Sequence, residues 1–269
     1  MKTVRTFVLV LLALSLTLSG TGPKSLALEP PPASPGPRTT LPDFSGIPDV
    51  QARKRSFFQY LLPLVENENR KLAARRLRLT YIQDHIRFGR PLLEQDSAWL
   101  AGVIHKYDLP VGDIHAPEFW RTALARVDTL PLDLVLVQAA IESAWGTSRF
   151  AREGLNLFGQ WCFRPGCGMV PDGRPEGESY EVARFPTVSA SIASYMHNLN
   201  SGAAYSGLRS VRLDLTLRGE PAGACDLVGG LTQYSQRGGD YVDELRAMIR
   251  VNQPVIAQAR DKTRQSGKI

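Results

Sequence analysis

A single carboxylate near the end of a strongly apolar segment is the first candidate for chemistry in this chain. Residues 131–146 read Pro-Leu-Asp-Leu-Val-Leu-Val-Gln-Ala-Ala-Ile-Glu-Ser-Ala-Trp-Gly and predict a buried helix with Glu142 near its end. At about 100° per residue, Gln138 lies one turn before Glu142 and Trp145 one turn after it. A carboxyl group held among apolar and aromatic side chains retains its proton, as a general acid in glycoside cleavage must. A structural glutamate paired with a nearby arginine explains this helix equally well.

Several separated motifs resemble one bacterial family. Residues 138–150 (Gln-Ala-Ala-Ile-Glu-Ser-Ala-Trp-Gly-Thr-Ser-Arg-Phe) and 156–159 (Asn-Leu-Phe-Gly) resemble the core signature of the glucosaminidases that act as peptidoglycan hydrolases. The stretches 161–171 and 227–235 resemble the Bax branch of that family. The resemblance extends over residues 53–252 and implies a lysozyme-like fold and β-N-acetylglucosaminidase activity on cell-wall glycan.

The resemblance also implies roles for individual positions. The general acid of the family falls on Glu142, and the 156–159 turn matches the stretch that forms the floor of the cleft. An aromatic residue placed near the scissile sugar matches Tyr205. With the helical neighbours of the acid included, the residues expected to bind the glycan are Gln138, Trp145, Asn156, Phe158 and Tyr205.

The second carboxylate of the family comes from the β lobe, where this chain offers four acids. Glu178 is favoured because it lies just before the β-like segment that begins at Tyr180. Strand alternation points Glu181 to the opposite face from Tyr180, and Glu176 and Asp172 are the other candidates. The 2-acetamido group of the substrate is an alternative to any carboxylate, so inversion, retention and substrate assistance all stay open.

Two other functions stay open at this point. A lytic transglycosylase uses a similar Glu-Ser pair at a helix end and needs only one carboxylate. The 156–159 turn lacks the Gly-Leu-Met-Gln sequence that we associate with those enzymes. A non-catalytic peptidoglycan-binding protein of the same fold is the alternative from a different class, and the intact Glu142 argues against it.

The elements that must position these residues are mainly helical. Apolar residues at helical spacing predict helices around residues 57–77, 99–107, 117–127, 131–146, 187–199 and 241–251. The Gly- and Pro-rich stretch 154–186 contains short β-like segments and predicts a small lobe with a hairpin. The expected fold class is therefore α+β, a mostly helical lysozyme-like fold with a small β-hairpin lobe.

The N-terminus has the three-part pattern of a secretory signal peptide: Lys2 and Arg5, an apolar run from residue 7 to residue 18, and Ser25-Leu-Ala27. An uncleaved anchor is the alternative, although the run is shorter than the ~20 residues that a spanning helix needs. We therefore expect export to the periplasm or cell envelope without stable membrane insertion after removal of the signal. The predicted order is a signal peptide at 1–27, a Pro-rich linker at 28–50, a glucosaminidase domain with an N-terminal helical extension at 51–257 and a flexible tail at 258–269.

Charge and cysteine content restrict the partners. The chain carries a formal charge of +6, and loss of the predicted signal peptide removes three cations and no acid, which leaves +3. This balance suits an anionic polymer, and the export signal disfavours nucleic acid. Cys162 and Cys167 flank a Pro-Gly turn and are expected to form a disulfide, which leaves Cys225 unexplained. The cysteine spacing and the scattered histidines do not fit a common zinc site, so we expect no metal. We also expect no cofactor, and the resemblance implies peptidoglycan glycan strands as the partner.

Overall fold

The computed structural model describes Gly36 and residues 38–266. The predicted signal peptide and the first part of the predicted linker lie outside the described residues, as do residues 267–269. Within the described part of the chain, no helix is long and apolar enough to cross a membrane.

The described residues form a mostly helical α+β fold with one small antiparallel sheet, which confirms the predicted fold class. The elements in chain order are α1 (Val50–Arg87), α2 (Glu94–Lys106), α3 (Pro117–Arg126), α4 (Leu132–Glu142), α5 (Arg149–Gly154), β1 (Trp161–Cys162), β2 (Gly168–Met169), β3 (Glu181–Ala183), α6 (Val188–Ser201), a 3₁₀ turn (Ala203–Tyr205), α7 (Ser206–Leu217), α8 (Ala224–Leu227), a second 3₁₀ turn (Val228–Leu231) and α9 (Gly239–Ser266).

Helix α1 is the longest element and is about 57 Å long at 1.5 Å per residue. Its N-terminus is capped by Asp49, whose carboxylate accepts the backbone N–H of Ala52 at 2.6 Å. The helix continues through Pro63. Its apolar face packs against α4, α6 and α9, so α1 forms one wall of the core that surrounds the site.

The end of the predicted linker is packed and does not act as a spacer. Phe44 is buried and contacts the rings of Phe57 and Tyr60 edge-on. The guanidinium of Arg38 donates to the carbonyl of Tyr60 at 2.7 Å, and the Arg38 carbonyl accepts the N–H of Val188 at 2.9 Å. The prediction of an extended linker up to residue 50 is therefore wrong from residue 38 onward, because apolar burial and hydrogen bonds outweigh the local proline content.

Helix α4 lies in the centre of the fold. Seven consecutive residues, 134–140, are buried, and the helix packs against α1, α8 and α9. The loop that leads into α4 is held by Arg212 of α7, which donates to the carbonyls of Ala125 and Thr129 at 2.8 Å and to Asn200 Oδ1 at 2.7 Å. Burial lowers the pKa of Arg212 to about 10, and the nearby Asp128 carboxylate partly offsets that shift.

The small lobe is a three-stranded antiparallel sheet in the order β1-β3-β2. Cys162 and Cys167 are joined by a disulfide with a Cα–Cα distance of 6.2 Å, which closes the connection between β1 and β2. On the outer face of the sheet, the rings of Trp161 and Tyr180 stack at 4.4 Å between centroids. Leu157 and Phe158, read as β-like from the sequence, lie instead in a buried non-strand turn.

Helix α9 is longer than the sequence suggested. It includes Pro254 and continues to Ser266, and Ala259 is fully buried against the core. The expectation of a flexible tail from residue 258 is therefore wrong as far as residue 266. The polar composition of this stretch reflects its solvent face, while small apolar residues on the other face pack inward.

Helix α4 ends at Glu142, four residues before Gly146, where the predicted helix ends. Ala144 adopts a left-handed conformation (φ 48°), and the Trp145 N–H donates to the carbonyl of Ala140 at 2.8 Å, which is the pattern of a Schellman motif. Gly146 also has a positive φ of 78°, but a Cβ at this position would lie 2.7 Å from Cδ2 of Phe44. Close packing beyond the helix end therefore requires a glycine at position 146. The end of the helix was predicted at this residue because glycine is the usual capping residue.

Substitution of this glycine tests the packing of the turn. Gly146→Ala should destabilise the protein by about 3 kcal/mol or more, because the positive φ and the overlap with Phe44 add. Gly89→Ala is the matched control, since Gly89 has a φ of 63° but open space around its Cβ position. It should cost only about 1 kcal/mol. Denaturant unfolding of both variants measures the difference, and equal losses of stability would contradict a steric role for Phe44.

Candidate active site

Glu142 is half-buried at the C-terminus of α4, and its carboxylate is held by a tyrosine from α9. The Tyr241 hydroxyl donates to Oε1 of Glu142 at 2.7 Å, and the same hydroxyl accepts a hydrogen bond from Nε2 of Gln138 at 2.9 Å. The Gln138 amide oxygen in turn accepts the hydroxyl of Tyr195 from α6. A continuous chain of hydrogen bonds therefore runs from Tyr195 through Gln138 and Tyr241 to the acid.

Gln138 has a different role from the one expected. Its side chain is 0% exposed, and both ends of its amide bond tyrosine hydroxyls. The prediction that Gln138 binds substrate is therefore corrected, since a fully buried amide cannot reach a ligand in the cleft. It instead fixes the positions of Tyr195 and Tyr241 relative to Glu142.

The surroundings of Glu142 favour its protonated form. Burial raises the pKa of the carboxyl group, and the negative charge of Glu244 adds to this, while the Tyr241 hydrogen bond and Arg237 act in the opposite direction. Burial and the charge of Glu142 raise the pKa of Tyr241, so this phenol stays protonated and continues to donate. Arg237 and Glu244 form an ion pair at 2.7 Å, which limits the effect of either charge on the acid.

The 156–159 turn brings exposed backbone next to the acid. Asn156 is buried and donates to the carbonyls of Gln160 at 2.8 Å and Ala183 at 2.9 Å, so it ties this turn to β3. Gly159 is exposed and has a positive φ of 63°, and a Cβ at this position would lie 3.8 Å from Oε2 of Glu142. The floor of the cleft beside Glu142 is therefore glycine backbone. The buried Asn156 shapes this floor and does not itself line it, which corrects its predicted role in binding substrate.

Phe158 also lies behind the cleft surface. Its ring stacks on Tyr195 at 3.9 Å with an interplanar angle of 9°, and its carbonyl accepts the hydroxyl of Tyr234 at 2.9 Å. Phe158 is 2% exposed, so its predicted contact with substrate is corrected to a packing role. The turn is thereby attached to the same group of tyrosines that holds the acid.

Tyr205 is close to this group, and its contact with the substrate stays a prediction. It packs against Tyr234 at 6.1 Å, and Tyr234 stacks on Tyr241 at 5.6 Å with an interplanar angle of 10°. The sequence pattern did not indicate Tyr195, Tyr234 and Tyr241 as site residues. Tyr234 lies in the 227–235 motif and could have been found there, whereas Tyr195 and Tyr241 look like ordinary apolar positions of their helices.

Trp145 lies away from this network. Because α4 ends at Glu142, the helical spacing that placed Trp145 beside the acid does not apply. Its ring contacts Phe57 and Phe58 of α1 edge-on at 5.6 and 5.3 Å, and the ammonium group of Lys54 lies 5.1 Å from its centroid. Its part in substrate binding stays a prediction.

The four acids of the β lobe are in different environments. Glu181 is buried and accepts the N–H groups of Gly166 at 2.9 Å and Gly168 at 2.7 Å, and these bonds lower the pKa of its carboxyl group. Asp172 is exposed and forms an ion pair with Arg149 at 3.1 Å. Glu176 and Glu178 are exposed in the loop between β2 and β3.

No contact in the described part of the chain joins any of these four acids to Glu142. The role of Glu178 stays a prediction for that reason. Glu181 instead secures the loop closed by the disulfide. The ligand atoms of Cys162, Cys167 and Glu181 lie within 4.8 Å of one another, but the sulfurs are bonded to each other and therefore provide no thiolates for a metal.

Comparison with known proteins places this part of the chain in one family. A family model described as mannosyl-glycoprotein endo-beta-N-acetylglucosaminidase matches residues 118–254, half of the chain, and includes Glu142 and all the tyrosines named above. The chain belongs to this glucosaminidase family, whose name indicates a glycosidase acting on a glycan.

A particular relative extends the match toward the N-terminus. Protein Bax of Escherichia coli (strain K12) is 32% identical over 219 residues, which cover 81% of this chain and 77% of the relative. No solved structure matches the chain. Helices α1 and α2 precede the segment matched by the family model, and α1 packs against α4, α6 and α9 within that segment.

Removal of the Tyr241 hydroxyl should raise the pKa of Glu142 further. The phenol donates to the ionised carboxylate, and that bond stabilises the charged form. In Tyr241→Phe, NMR titration of ¹³C-labelled glutamate should therefore show Glu142 losing its proton at higher pH than in the wild type. Tyr205→Phe is the control, since its hydroxyl bonds Asn198 and not the acid. A pKa that falls or stays constant in Tyr241→Phe would contradict the assignment.

Proposed function

We propose that this protein is an exported endo-β-N-acetylglucosaminidase that hydrolyses the glycan strands of bacterial peptidoglycan, with Glu142 as the general acid. One observation carries the proposal: the Glu142 carboxyl group has a raised pKa, and it is held by Tyr241 beside the exposed backbone of Gly159. Membership of the glucosaminidase family supports the same chemistry.

The two oxygens of Glu142 have different surroundings, and this suits acid catalysis. Oε1 accepts the Tyr241 hydroxyl, while Oε2 faces the open backbone of Gly159. A proton on Oε2 is thus presented to a glycosidic oxygen that lies over the glycine. As the bond between that oxygen and the sugar carbon breaks, the leaving oxygen takes the proton and Glu142 becomes a carboxylate. Water then adds to the sugar carbon and returns a proton to Glu142.

The pH dependence follows from the direction of the pKa shift. Glu142 must be protonated to act, so the rate falls as the pH rises through its pKa. Because burial raises that pKa, this fall lies at higher pH than it would for an ordinary glutamate. The tyrosine hydrogen bond acts against this shift, so the carboxylate formed after proton transfer is also stabilised.

The positive charge that develops at the sugar carbon needs a second group. Glu178 is the preferred carboxylate, because it lies in the loop between β2 and β3 and its side chain is free to approach the cleft when the lobe closes on a substrate. Glu181 is committed to the N–H groups of Gly166 and Gly168, and Asp172 to Arg149. The 2-acetamido group of the substrate is the alternative, since the described neighbours of Glu142 include no acid of the β lobe.

A cell-envelope location fits the remaining features. The N-terminal pattern predicts export, and a disulfide such as Cys162–Cys167 persists in an oxidising compartment. The formal charge of +3 after signal removal suits approach to an anionic wall polymer.

Replacement of the acid tests the proposed function directly. Glu142→Gln keeps the shape of the side chain but removes the transferable proton, so cleavage of purified sacculi should fall by about 10²–10⁴-fold while glycan binding stays near the wild-type level. Glu118→Gln is the control, because it removes an exposed glutamate of α3 that does not act on Glu142, and it should retain most activity. More than about a tenth of the wild-type rate in Glu142→Gln would refute the assignment of the acid.

The reaction products distinguish a hydrolase from a lytic transglycosylase. Hydrolysis leaves a reducing N-acetylglucosamine end, whereas a lytic transglycosylase leaves an anhydro sugar, and mass spectrometry of the digest distinguishes them. Binding of sacculi without turnover by the wild type would instead identify a non-catalytic member of the fold.

Single alanine substitutions at Asp172, Glu176, Glu178 and Glu181 test the second carboxylate. Glu178→Ala should lower the rate on sacculi far more than Glu176→Ala, which removes an equally exposed acid from the same loop. Glu181→Ala should lower thermal stability, because it leaves two glycine N–H groups unpaired. Near-wild-type rates for Glu176→Ala and Glu178→Ala would favour assistance by the substrate or a single-acid mechanism.

A further inference from the structure

A second concave site lies on the other face of α6 from the Glu142 network. It is a pocket of about 350 Å³ between α1, the end of α2 and the first turns of α6. Tyr195 belongs to the Glu142 network, and His197 lines this pocket. Because these residues are two positions apart on α6, they lie about 200° apart around the helix axis. The pocket is therefore formed where the helical extension meets the family domain, and it is separate from the candidate active site.

Positive charge dominates the pocket. Lys71 and Arg75 of α1 and Lys106 of α2 line it together with one acid, Glu68. Glu68 is engaged by Lys71 at 2.5 Å, and the Arg75 guanidinium bonds the hydroxyl of the buried Tyr107. Within residues 38–266, neither Arg75 nor Lys106 forms an ion pair with a carboxylate. Two cations without an anionic partner thus share one concave space.

Their proximity has a measurable electrostatic effect. Burial lowers the pKa of Lys106, the positive charges of Arg75 and Lys71 lower it further, and the Glu68 carboxylate acts in the opposite direction. The pKa of His197 is lowered by burial and by the charges of Lys106 and Arg75. Like charges held together repel each other, and a bound anion would relieve this repulsion.

The N-terminus of α6 opens into the same pocket. Thr187, Ser189 and Ala190 line it, and they form the cap and first turn of a 14-residue helix. The N–H groups of Val188 and Ala190 are already bonded to the Arg38 carbonyl and to Thr187, so this helix end contributes the partial positive charge of the helix dipole. About two turns further along the same helix, His197 also lines the pocket, and its Nδ1 is buried without a hydrogen-bond partner among the described residues. Hydroxyl, cationic and imidazole groups therefore surround one space from three elements.

We propose that this pocket binds a phosphate group. A phosphate carries a charge of about −1.5 to −2 near neutral pH and several acceptor oxygens, which match two unpaired cations and a helix N-terminus better than a single carboxylate does. The volume exceeds that of a bare phosphate ion, so the bound group belongs to a larger molecule, either a soluble phosphate ester or a phospholipid headgroup. This site is independent of glycan cleavage.

Calorimetric titration with inorganic phosphate at constant ionic strength tests the site. Lys106→Gln removes one unpaired cation from an exposed position, so the fold should persist, and phosphate affinity should fall about tenfold. Arg250→Gln is the control, because it removes the same charge from an exposed position on α9 that does not line the pocket, and it should bind phosphate as the wild type does.

Two further outcomes distinguish a phospholipid headgroup from a soluble phosphate ester as the source of the phosphate group. Co-sedimentation with phosphatidylglycerol vesicles, lost in Lys106→Gln but kept in Arg250→Gln, would indicate a lipid headgroup. Phosphate binding without vesicle binding would indicate a soluble ester. The proposal is overturned if the wild type does not bind phosphate, or if Lys106→Gln and Arg250→Gln weaken binding equally. Glu142→Gln should bind phosphate normally whatever its effect on glycan cleavage.

Discussion

The side-chain amide of Gln138 joins three helices at the point where the core meets the acid. Its nitrogen donates to Tyr241 of α9 and its oxygen accepts from Tyr195 of α6, across separations of 103 and 57 residues. A buried amide is tolerated only when both of its ends are bonded, and loss of one partner costs about 1–3 kcal/mol. The position of Tyr241, and through it the orientation and pKa of Glu142, therefore depends on correct assembly of α4, α6 and α9. This constraint explains why a helix as apolar as α4 contains a polar residue four positions before the acid.

The position of Glu142 at the end of an almost wholly apolar helix could be predicted from the sequence, whereas its role as the acid rests on the family resemblance, since the helix alone fits a structural glutamate equally well. The hydrogen-bond partners of Glu142 could not be predicted. Tyr195 and Tyr241 occupy inward positions of amphipathic helices, where a tyrosine and a phenylalanine fit the same pattern. The end of α4 was misplaced because Gly146 has the appearance of a capping residue, whereas Ala144 takes the left-handed position and Gly146 accommodates the ring of Phe44. That requirement comes from a residue about a hundred positions earlier in the chain and leaves no local signal.

In the β lobe, too, only some contacts could be predicted from the sequence, although the residues involved are close together in the chain. The proximity of Cys162 and Cys167 was evident from their spacing and the turn between them. The function of Glu181 was not, because its partners are the backbone N–H groups of Gly166 and Gly168, and backbone acceptors and donors have no signature in composition. Alternation along the strand correctly separated Glu181 from Tyr180, yet alternation alone does not distinguish a catalytic carboxylate from one that closes a loop.

The glycine at position 159 restricts how this cleft can change during evolution. Any other residue there would adopt a strained positive φ and would place a side chain over Oε2 of Glu142. The surface nearest the acid therefore cannot be altered one side chain at a time, and new contacts to a substrate must come from neighbouring segments. The exposed loop between β2 and β3 is free to vary in length and charge, so divergence in substrate preference should accumulate in that loop while the turn beside the acid stays the same.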